Sequence, residues 1–337
     1  MHTTEAILDE KHWTTETDSH ITDHIKYTSM KILVTGGAGF IGSNIVDAYV
    51  QAGHDVIVVD NLSSGRIENV NPKAQFYKVD IQDPALERIF ETANIEVINH
   101  HAAQMDVRKS VADPKYDASV NILGMLNVME LGKKHNARKV IFSSTGGAIY
   151  GEQDYFPADE QHPLRPLSPY GITKLATEKY LYYYRAVHGI QHVILRYANI
   201  YGPRQNPHGE AGVVAIFTDK MLNGDEPVIN GDGKQTRDYV FVGDVVRANI
   251  LALAHETSDI FNIGTGVEND VNTLFRIIKK ATGSPSVERH AVAKKGEQLR
   301  SVIDYSKAKK VLGWEPTVSL EDGLEKTVQY FKSVRKK

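Results

Sequence analysis

The chain has no cysteine, which excludes disulfides, thiolate metal sites and a cysteine nucleophile. It has no apolar run near the ~18 residues that a membrane-spanning helix needs, and no signal-peptide hydrophobic segment precedes the first strand. Charge excess is also slight: 39 Lys and Arg stand against 42 Asp and Glu, a formal net charge of -3. Bulk electrostatics therefore give no case for nucleic acid or an anionic membrane as a partner. A soluble, cytoplasmic protein is the expectation. The 337 residues fit one α/β domain with an appended lobe, and no linker or internal repeat is visible.

Residues 1–29 stand apart. They are polar, with His2, His12, His20 and His24 scattered among Thr, Asp and Glu, a composition that suits a flexible extension. The histidine spacing is too irregular to predict a metal site. From Lys31 the chain alternates strand and helix. Lys31–Thr35 reads as a buried strand that runs into Gly36-Gly37-Ala38-Gly39-Phe40-Ile41-Gly42 and then into helical spacing. Glycines at such a strand-to-helix turn permit a tight bend and close approach of a pyrophosphate to the helix N-terminus. The next strand, Asp55–Val59, ends in Asp60, placed to hydrogen-bond an adenosine ribose and to repel a 2′-phosphate, so NAD is favoured over NADP. Gln75–Val79, Val97–Asn99, Lys139–Phe142 and Val193–Tyr197 are further strands. Helices are expected near 84–92, 114–136 and after Lys174. This alternation predicts a Rossmann-type doubly wound parallel sheet, with ligands at the carboxyl ends of its strands.

Tyr170 and Lys174 lie four residues apart at the head of a helical segment, and i, i+4 residues share a face. The cation should favour the phenolate, although bringing a phenol from ~10 to ~7 takes about 4 kcal/mol. A second positive charge, such as an oxidised nicotinamide, would help. A solvated surface pair is the bland alternative, since this spacing arises often by chance. Beyond about residue 200 the pattern changes. Residues 204–242 are rich in Gly, Asn, Pro and Asp, Asp244 should cap a helix over 245–255, and 260–263 should return to the main sheet. The expected layout is thus an extension (1–29), a Rossmann domain carrying the Tyr/Lys helix (30–200), and a smaller interleaved substrate lobe (201–337).

Taken in order, Gly36-x-x-Gly39-x-x-Gly42, Asp60, the Ser144-Thr145 strand end and Tyr170-x-x-x-Lys174 resemble the extended short-chain dehydrogenases/reductases over roughly residues 30–330. Within them the chain is most similar to UDP-glucose (UDP-galactose) 4-epimerases, through Ser143–Gly151, Arg196–Arg204, Thr236–Tyr239, and Gly296-Glu297 with Arg300.

The resemblance implies an NAD-dependent, reversible inversion at C4 of a UDP-hexose through a 4-keto sugar, with NAD retained. Gly36, Gly39, Gly42, Phe40 and Ile41 would hold the pyrophosphate. Asp60, Asn61, Leu62, Ser63, Ser64 and Gly65 would hold the adenosine ribose, with Asp80 and Ile81 flanking adenine. His101, Ala102, Ala103, Gln104 and Asn121 would line the nicotinamide half, and Tyr197 would belong to the same cofactor site. Tyr170 would be the base and Lys174 its partner on the nicotinamide ribose. Thr145, or Ser144 one residue earlier, would be the active-site hydroxyl. Asn199, Val213, Arg237, Arg300 and Lys294 would hold the UDP, a lysine standing where the family often has an arginine. Ser301 would border the sugar's 2-substituent, its small size suiting N-acetylated sugars as well. A homodimer through helices near 114–136 and 170–188 is the family expectation. The alternatives are a UDP-glucuronate 4-epimerase or a nucleotide-sugar 4,6-dehydratase. The dehydratases carry Thr-Asp-Glu where this chain reads Ser144-Thr145-Gly146, so the acids needed to eliminate water are missing. A non-catalytic dinucleotide-binding regulator is disfavoured, because both Tyr170 and Lys174 are present.

Overall fold

The computed structural model describes residues 29–208, 212–293 and 298–335. The first half alternates β1 (Lys31–Thr35), α1 (Phe40–Gln51), β2 (Asp55–Val59), β3 (Gln75–Tyr77), α2 (Leu86–Ala93) and β4 (Val97–His100). Then come α3 (Val107–Ala112), α4 (Pro114–Ala118), a π-helical stretch (Ser119–Gly124) and α5 (Met125–Lys134), followed by β5 (Lys139–Thr145), α6 (Pro169–His188) and β6 (Gln191–Tyr197). Together with β10 (Asp259–Ile263), these strands form one seven-stranded parallel sheet in the order β10-β6-β5-β4-β1-β2-β3. Strand order reverses beside β1, which opens a crevice at the carboxyl ends between β1 and β4.

Both faces of this sheet are covered, and β1 shows why its sequence is a continuous apolar run. Alternate residues face opposite sides of a strand. Ile32 and Val34 enter a core shared with Ile45, Val245, Phe261 and Trp314. Leu33 enters the opposite core with Phe90, Ile98, Met129 and Leu181. Pairing register then sets the ceiling of the crevice. Thr35 pairs with Val59 and with His100, and His100 pairs with Phe142. β5 and β6 continue together for three more residues, to Thr145 opposite Tyr197. The Ser143–Thr145 end therefore overhangs the crevice.

The remaining elements are β7 (Asn199–Tyr201), α7 (Val213–Asn223), β8 (Ile229–Asn230), β9 (Thr236–Phe241), α8 (Val242–Ala254), β11 (Glu268–Asp270), α9 (Val271–Thr282), β12 (His290–Ala291), β13 (Arg300–Ser301), α10 (Ser306–Leu312) and α11 (Leu320–Arg335). β9 is the centre of the smaller sheet, flanked by β7, β11 and β13. Its core holds Tyr201, Phe217, Phe275 and Leu324.

Two details differ from expectation. The helix expected over 114–136 is interrupted by the π stretch and preceded by the separate α3. Asp244 is not an N-cap, since Phe241 occupies that position and the helix already includes Asp244. Its carboxylate instead accepts from Thr317 N–H (3.1 Å), Thr317 Oγ1 (2.8 Å) and Val318 N–H (3.2 Å) and pairs with Arg247 at 2.9 Å.

Candidate active site

The glycine turn is shaped by close backbone approach. Gly36 has φ +70°, and a Cβ there would lie 2.7 Å from the Ala102 nitrogen and 2.8 Å from the His101 carbonyl carbon. At Gly42 a Cβ would lie 2.3 Å from the Gly36 oxygen. The turn thus lies directly against the start of the 101–106 loop. α1 begins after Gly39 with no side-chain cap and no acidic residue in its first turn. Its leading N–H groups, Phe40 and Ile41 among them, are left to an external anion, which the helix dipole favours. A dinucleotide's pyrophosphate fits this cradle. Asp60 is buried at its edge, where it accepts Ala38 N–H at 3.0 Å and Leu62 N–H at 2.8 Å. Gly65 packs against Ala38 and Asp60, Asn61 donates to Asp80 at 2.7 Å and accepts from Ser63 N–H at 2.9 Å, and Ser64 is exposed beside them. Ile81 is a core residue next to Asp80.

Across the crevice, α6 starts at Ser168, whose Oγ accepts Gly171 N–H at 3.2 Å, with Pro169 at the first helical position. Both are strong helix starters. They place Tyr170 in the first turn and Lys174 one turn later. Lys174 is 3 % exposed, and its ammonium donates to the Ser143 carbonyl at 2.8 Å. It lies 4.8 Å from the centre of the Phe142 ring and 5.8 Å from that of Tyr170. Burial pulls this ammonium down to about 8, against the opposing charges of Asp117 and Glu178. Burial first, and then the Lys174 charge, bring His100 and His101 down to about 3, so both are neutral. His100 Nδ1 bonds Thr35 Oγ1 at 2.8 Å, which also accepts Ala102 N–H at 3.2 Å, ordering the loop through Ala103. His101 Nδ1 is buried with no hydrogen-bond partner among the described residues.

Other predicted residues fall into distinct settings. Ser144 is 3 % exposed and donates to Glu178 at 2.6 Å, behind β5. That carboxylate forms two bonds with the buried Arg196, 3.0 and 2.6 Å. Thr145 is on the opposite strand face, half-buried, and its Oγ1 and the Asn199 Oδ1 flank Gly147, 3.9 and 3.6 Å from where a Cβ there would sit. Ser144 thus belongs to a buried ion-pair network with Glu178 and Arg196. Asn121 and Gln104 are likewise spent on the protein itself. The Asn121 amide exchanges bonds with the Gln104 backbone, 2.8 and 2.9 Å, and reaches Asp117 and Thr173, while Gln104 Nε2 reaches Asp117 at 3.0 Å. Their side chains brace the loop; they do not present free groups to the crevice. Tyr197 is core: its hydroxyl accepts from Asn249 at 2.9 Å and meets His101 Nε2 at 3.4 Å.

In the smaller sheet, Arg237 and Ser301 are register partners on β9 and β13. Ser301 is buried, and Arg237 is half-buried with its guanidinium held by the Thr236 carbonyl at 2.8 Å. Arg300 points to the other side, where it stacks 3.8 Å over the Phe156 ring and makes two bonds to Glu268. Val213 opens α7 against the lobe core. Lys294 lies outside the described residues.

A match to the NAD dependent epimerase/dehydratase family runs over residues 32–264. The chain belongs to the NAD-dependent epimerase/dehydratase family. It is 48 % identical over 302 residues to a putative UDP-glucose 4-epimerase of Methanocaldococcus jannaschii, with 90 % of this chain and 98 % of that protein covered. Two crystal structures are similar throughout. One, of a UDP-glucose 4-epimerase with UDP-glucose from Thermotoga maritima, superposes with a TM-score of 0.89 at 52 % identity, covering 91 % of this chain and 100 % of the other. The second, of a Thermus thermophilus UDP-glucose 4-epimerase with NAD, gives 0.85 at 42 % identity over 90 % and 99 %.

Within this epimerase/dehydratase chain, sequence reasoning missed four buried polar residues around the Tyr/Lys helix: Asp117, Thr173, Glu178 and Arg196. A signal existed for two of them. Glu178 follows Lys174 by four residues and Asp117 precedes Asn121 by four, so each shares a helical face with a residue already singled out.

Proposed function

We propose that this protein interconverts UDP-glucose and UDP-galactose by NAD-dependent 4-epimerisation. The observation that carries the reading is the Lys174 ammonium: dry, fixed on the Ser143 carbonyl and 5.8 Å from the Tyr170 ring, at the carboxyl end of a parallel sheet facing the glycine turn. A bound NAD supplies the hydride acceptor and, later, the donor. Gly36, Gly39 and Gly42 with the first N–H groups of α1 hold its pyrophosphate, and Asp60 holds the adenosine ribose. Tyr170 takes the proton from the sugar O4 and returns it after the 4-keto sugar has turned over. The buried ammonium stabilises the negative charge that develops on the Tyr170 oxygen, an attraction much stronger there than in water. Thr145 hydrogen-bonds the same O4. For the sugar to turn over, its anchoring must be remote from C4; Asn199, Val213 and Arg237 supply it on the UDP.

Three supports favour epimerase over dehydratase. Thr145-Gly146 offers no acid at the strand end. The side chains nearest to Gly147 among the described residues, Thr145 and Asn199, are neutral. The two structures described above carry the epimerase name at 52 % and 42 % identity, against 31 % for a dTDP-glucose 4,6-dehydratase. The purified protein, given UDP-glucose and no added NAD, should form UDP-galactose detectable by NMR. A 4-keto-6-deoxy product, or no galactose product even with NAD supplied, would overturn the reading. Buried, small Ser301 beside Arg237 supports acceptance of N-acetylated sugars. No turnover of UDP-N-acetylglucosamine, and no gain over Ser301→Tyr, would end that part. A homodimer belongs to the same reading, supported by the exposed Leu123, Tyr180, Tyr182 and Tyr183 on the helices expected to pair.

A further inference from the structure

Asp117 is fully buried, with 0 % exposure, yet forms no ion pair among the described residues. Its Oδ1 accepts two amide donors, Gln104 Nε2 at 3.0 Å and Asn121 Nδ2 at 3.1 Å, and its Oδ2 meets Thr173 Oγ1 at 2.9 Å. These three partners come from three elements: the loop after β4, the π stretch and the head of α6. Thr173 lies between the two functional residues of α6, its hydroxyl also within 3.0 Å of the Tyr170 carbonyl. A buried carboxylate without a cation is costly, and π-helical interruptions cluster at functional sites. Packing alone would be served as well by an uncharged residue.

We propose that Asp117 is a positioning residue of the hydride-transfer site, which fixes the Tyr170–Lys174 turn against the nicotinamide-side loop and supplies the negative charge opposite the Lys174 ammonium. The inference rests on the epimerase reading and deepens it. Desolvation pulls the Lys174 ammonium down to about 8, and Asp117 is the first of the charges that push it back up. Glu178 pushes the same way and ranks second to Asp117, and its charge is shared with Arg196 on β6 through a bidentate pair. His100 and His101 at the end of β4 are neutral, both brought down to about 3. On the α3 side, Asp106 and Arg108 face each other at 3.8 Å, and the Asp106 carboxylate caps Lys109 N–H. Among the described residues, Asp117 remains the unpaired negative charge beside the site.

Asp117→Asn is the informative change, because it can keep the bonds and remove the charge. The carboxamide oxygen can take both amide donors, while its NH2 donates to Thr173 Oγ1. With the negative charge gone, the Lys174 ammonium and the Tyr170 phenol both lose protons more readily. The kcat–pH bell should therefore move as a whole toward acid, both limbs together, by about one unit. The cofactor content of the purified protein should not change. Limbs that superimpose on the parent's would overturn the electrostatic part. Thr173→Val is the complementary variant, cutting the tie to α6 and leaving the charge. It should lower kcat about tenfold or more without moving either limb, and an unchanged kcat would overturn the positioning part whatever Asp117→Asn does. Parent turnover of UDP-glucose reads the underlying function separately. If the parent is inactive the epimerase reading has failed, whereas an active parent with unmoved variants removes only the role of Asp117.

Discussion

On β5, two adjacent hydroxyls have opposite surroundings. Ser144 donates a hydrogen bond to the Glu178 carboxylate behind the strand, and Thr145 flanks Gly147 together with Asn199. Ser144→Ala should thus cost about 1–2 kcal/mol of stability in urea unfolding and leave turnover near the parent's. Thr145→Val should keep stability and lose about 100-fold in kcat. The reverse pattern would exchange the two assignments. Tyr170→Phe should lose several orders of magnitude in kcat while retaining NAD and UDP; near-parent turnover would remove Tyr170 as the base. The Tyr170–Lys174 pair was readable in the sequence because i, i+4 spacing is a local fact that helix geometry converts into proximity. The choice between Ser144 and Thr145 was not readable. It depends on where Glu178 and Arg196 meet β5, which register decides and sequence spacing does not.

At the scale of elements, the β1–α1 unit is set by a backbone contact within the turn itself. A methyl group at Gly42 would come within 2.3 Å of the Gly36 oxygen, an atom held in the turn by the Gly39 N–H bond at 3.1 Å. Neither atom can swing away as a side chain would. Gly42→Ala should therefore force the turn open, at a cost of about 1–3 kcal/mol as overpacking, and should purify with little bound NAD. Cofactor released by denaturation and measured by absorbance checks this; a full complement would show that the cradle tolerates the methyl. Such a unit is legible in a sequence because strand, turn and helix are contiguous. The same is true of the other parallel strands, whose apolar runs are continuous because both faces are covered. Legibility ended where a residue's partner came from far along the chain. Asp244 looked like a helix cap because Asp favours that position, and Thr317 and Val318, which hold its carboxylate, are more than 70 residues away. The protein partners of Asn121 and Tyr197, Gln104 and Asn249, were hidden for the same reason. The π stretch that turns Asn121 toward Gln104 has no signature in apolar spacing.

The whole molecule combines these buried polar groups into a pH dependence. His100 is 2 % exposed, bonded to Thr35 and brought from 6.5 to about 3 by burial and the Lys174 charge. The unfolded chain protonates this imidazole below about 6.5, and the folded chain does not until about 3. Unfolding therefore takes up a proton across that window, and stability must fall as the pH falls. The contribution is complete above about 6.5 and is lost at about 1.4 kcal/mol per pH unit for His100 alone. His101, also at about 3, steepens the slope in the same window. The alkaline side runs the other way at first. Lys174 and Lys139 are both brought down to about 8 by burial. Between about 8 and 10.5 the unfolded chain holds these protons and the folded chain releases them, so stability rises with pH. Buried Tyr150, pushed up to about 12, reverses the trend above about 10, where only the unfolded phenol ionises. Urea unfolding from pH 5 to 10 should thus show a steep acid limb beginning near 6.5, well above the carboxylate range, and a maximum on the alkaline side of neutrality. His100→Gln, which can keep a bond to Thr35 and cannot titrate, should flatten the acid limb by about 1.4 kcal/mol per unit. An acid limb that begins only below about 4.5, or that His100→Gln leaves unchanged, would mean that this buried imidazole is protonated in the folded protein and that the dry, cation-flanked setting assigned to the strand end is wrong.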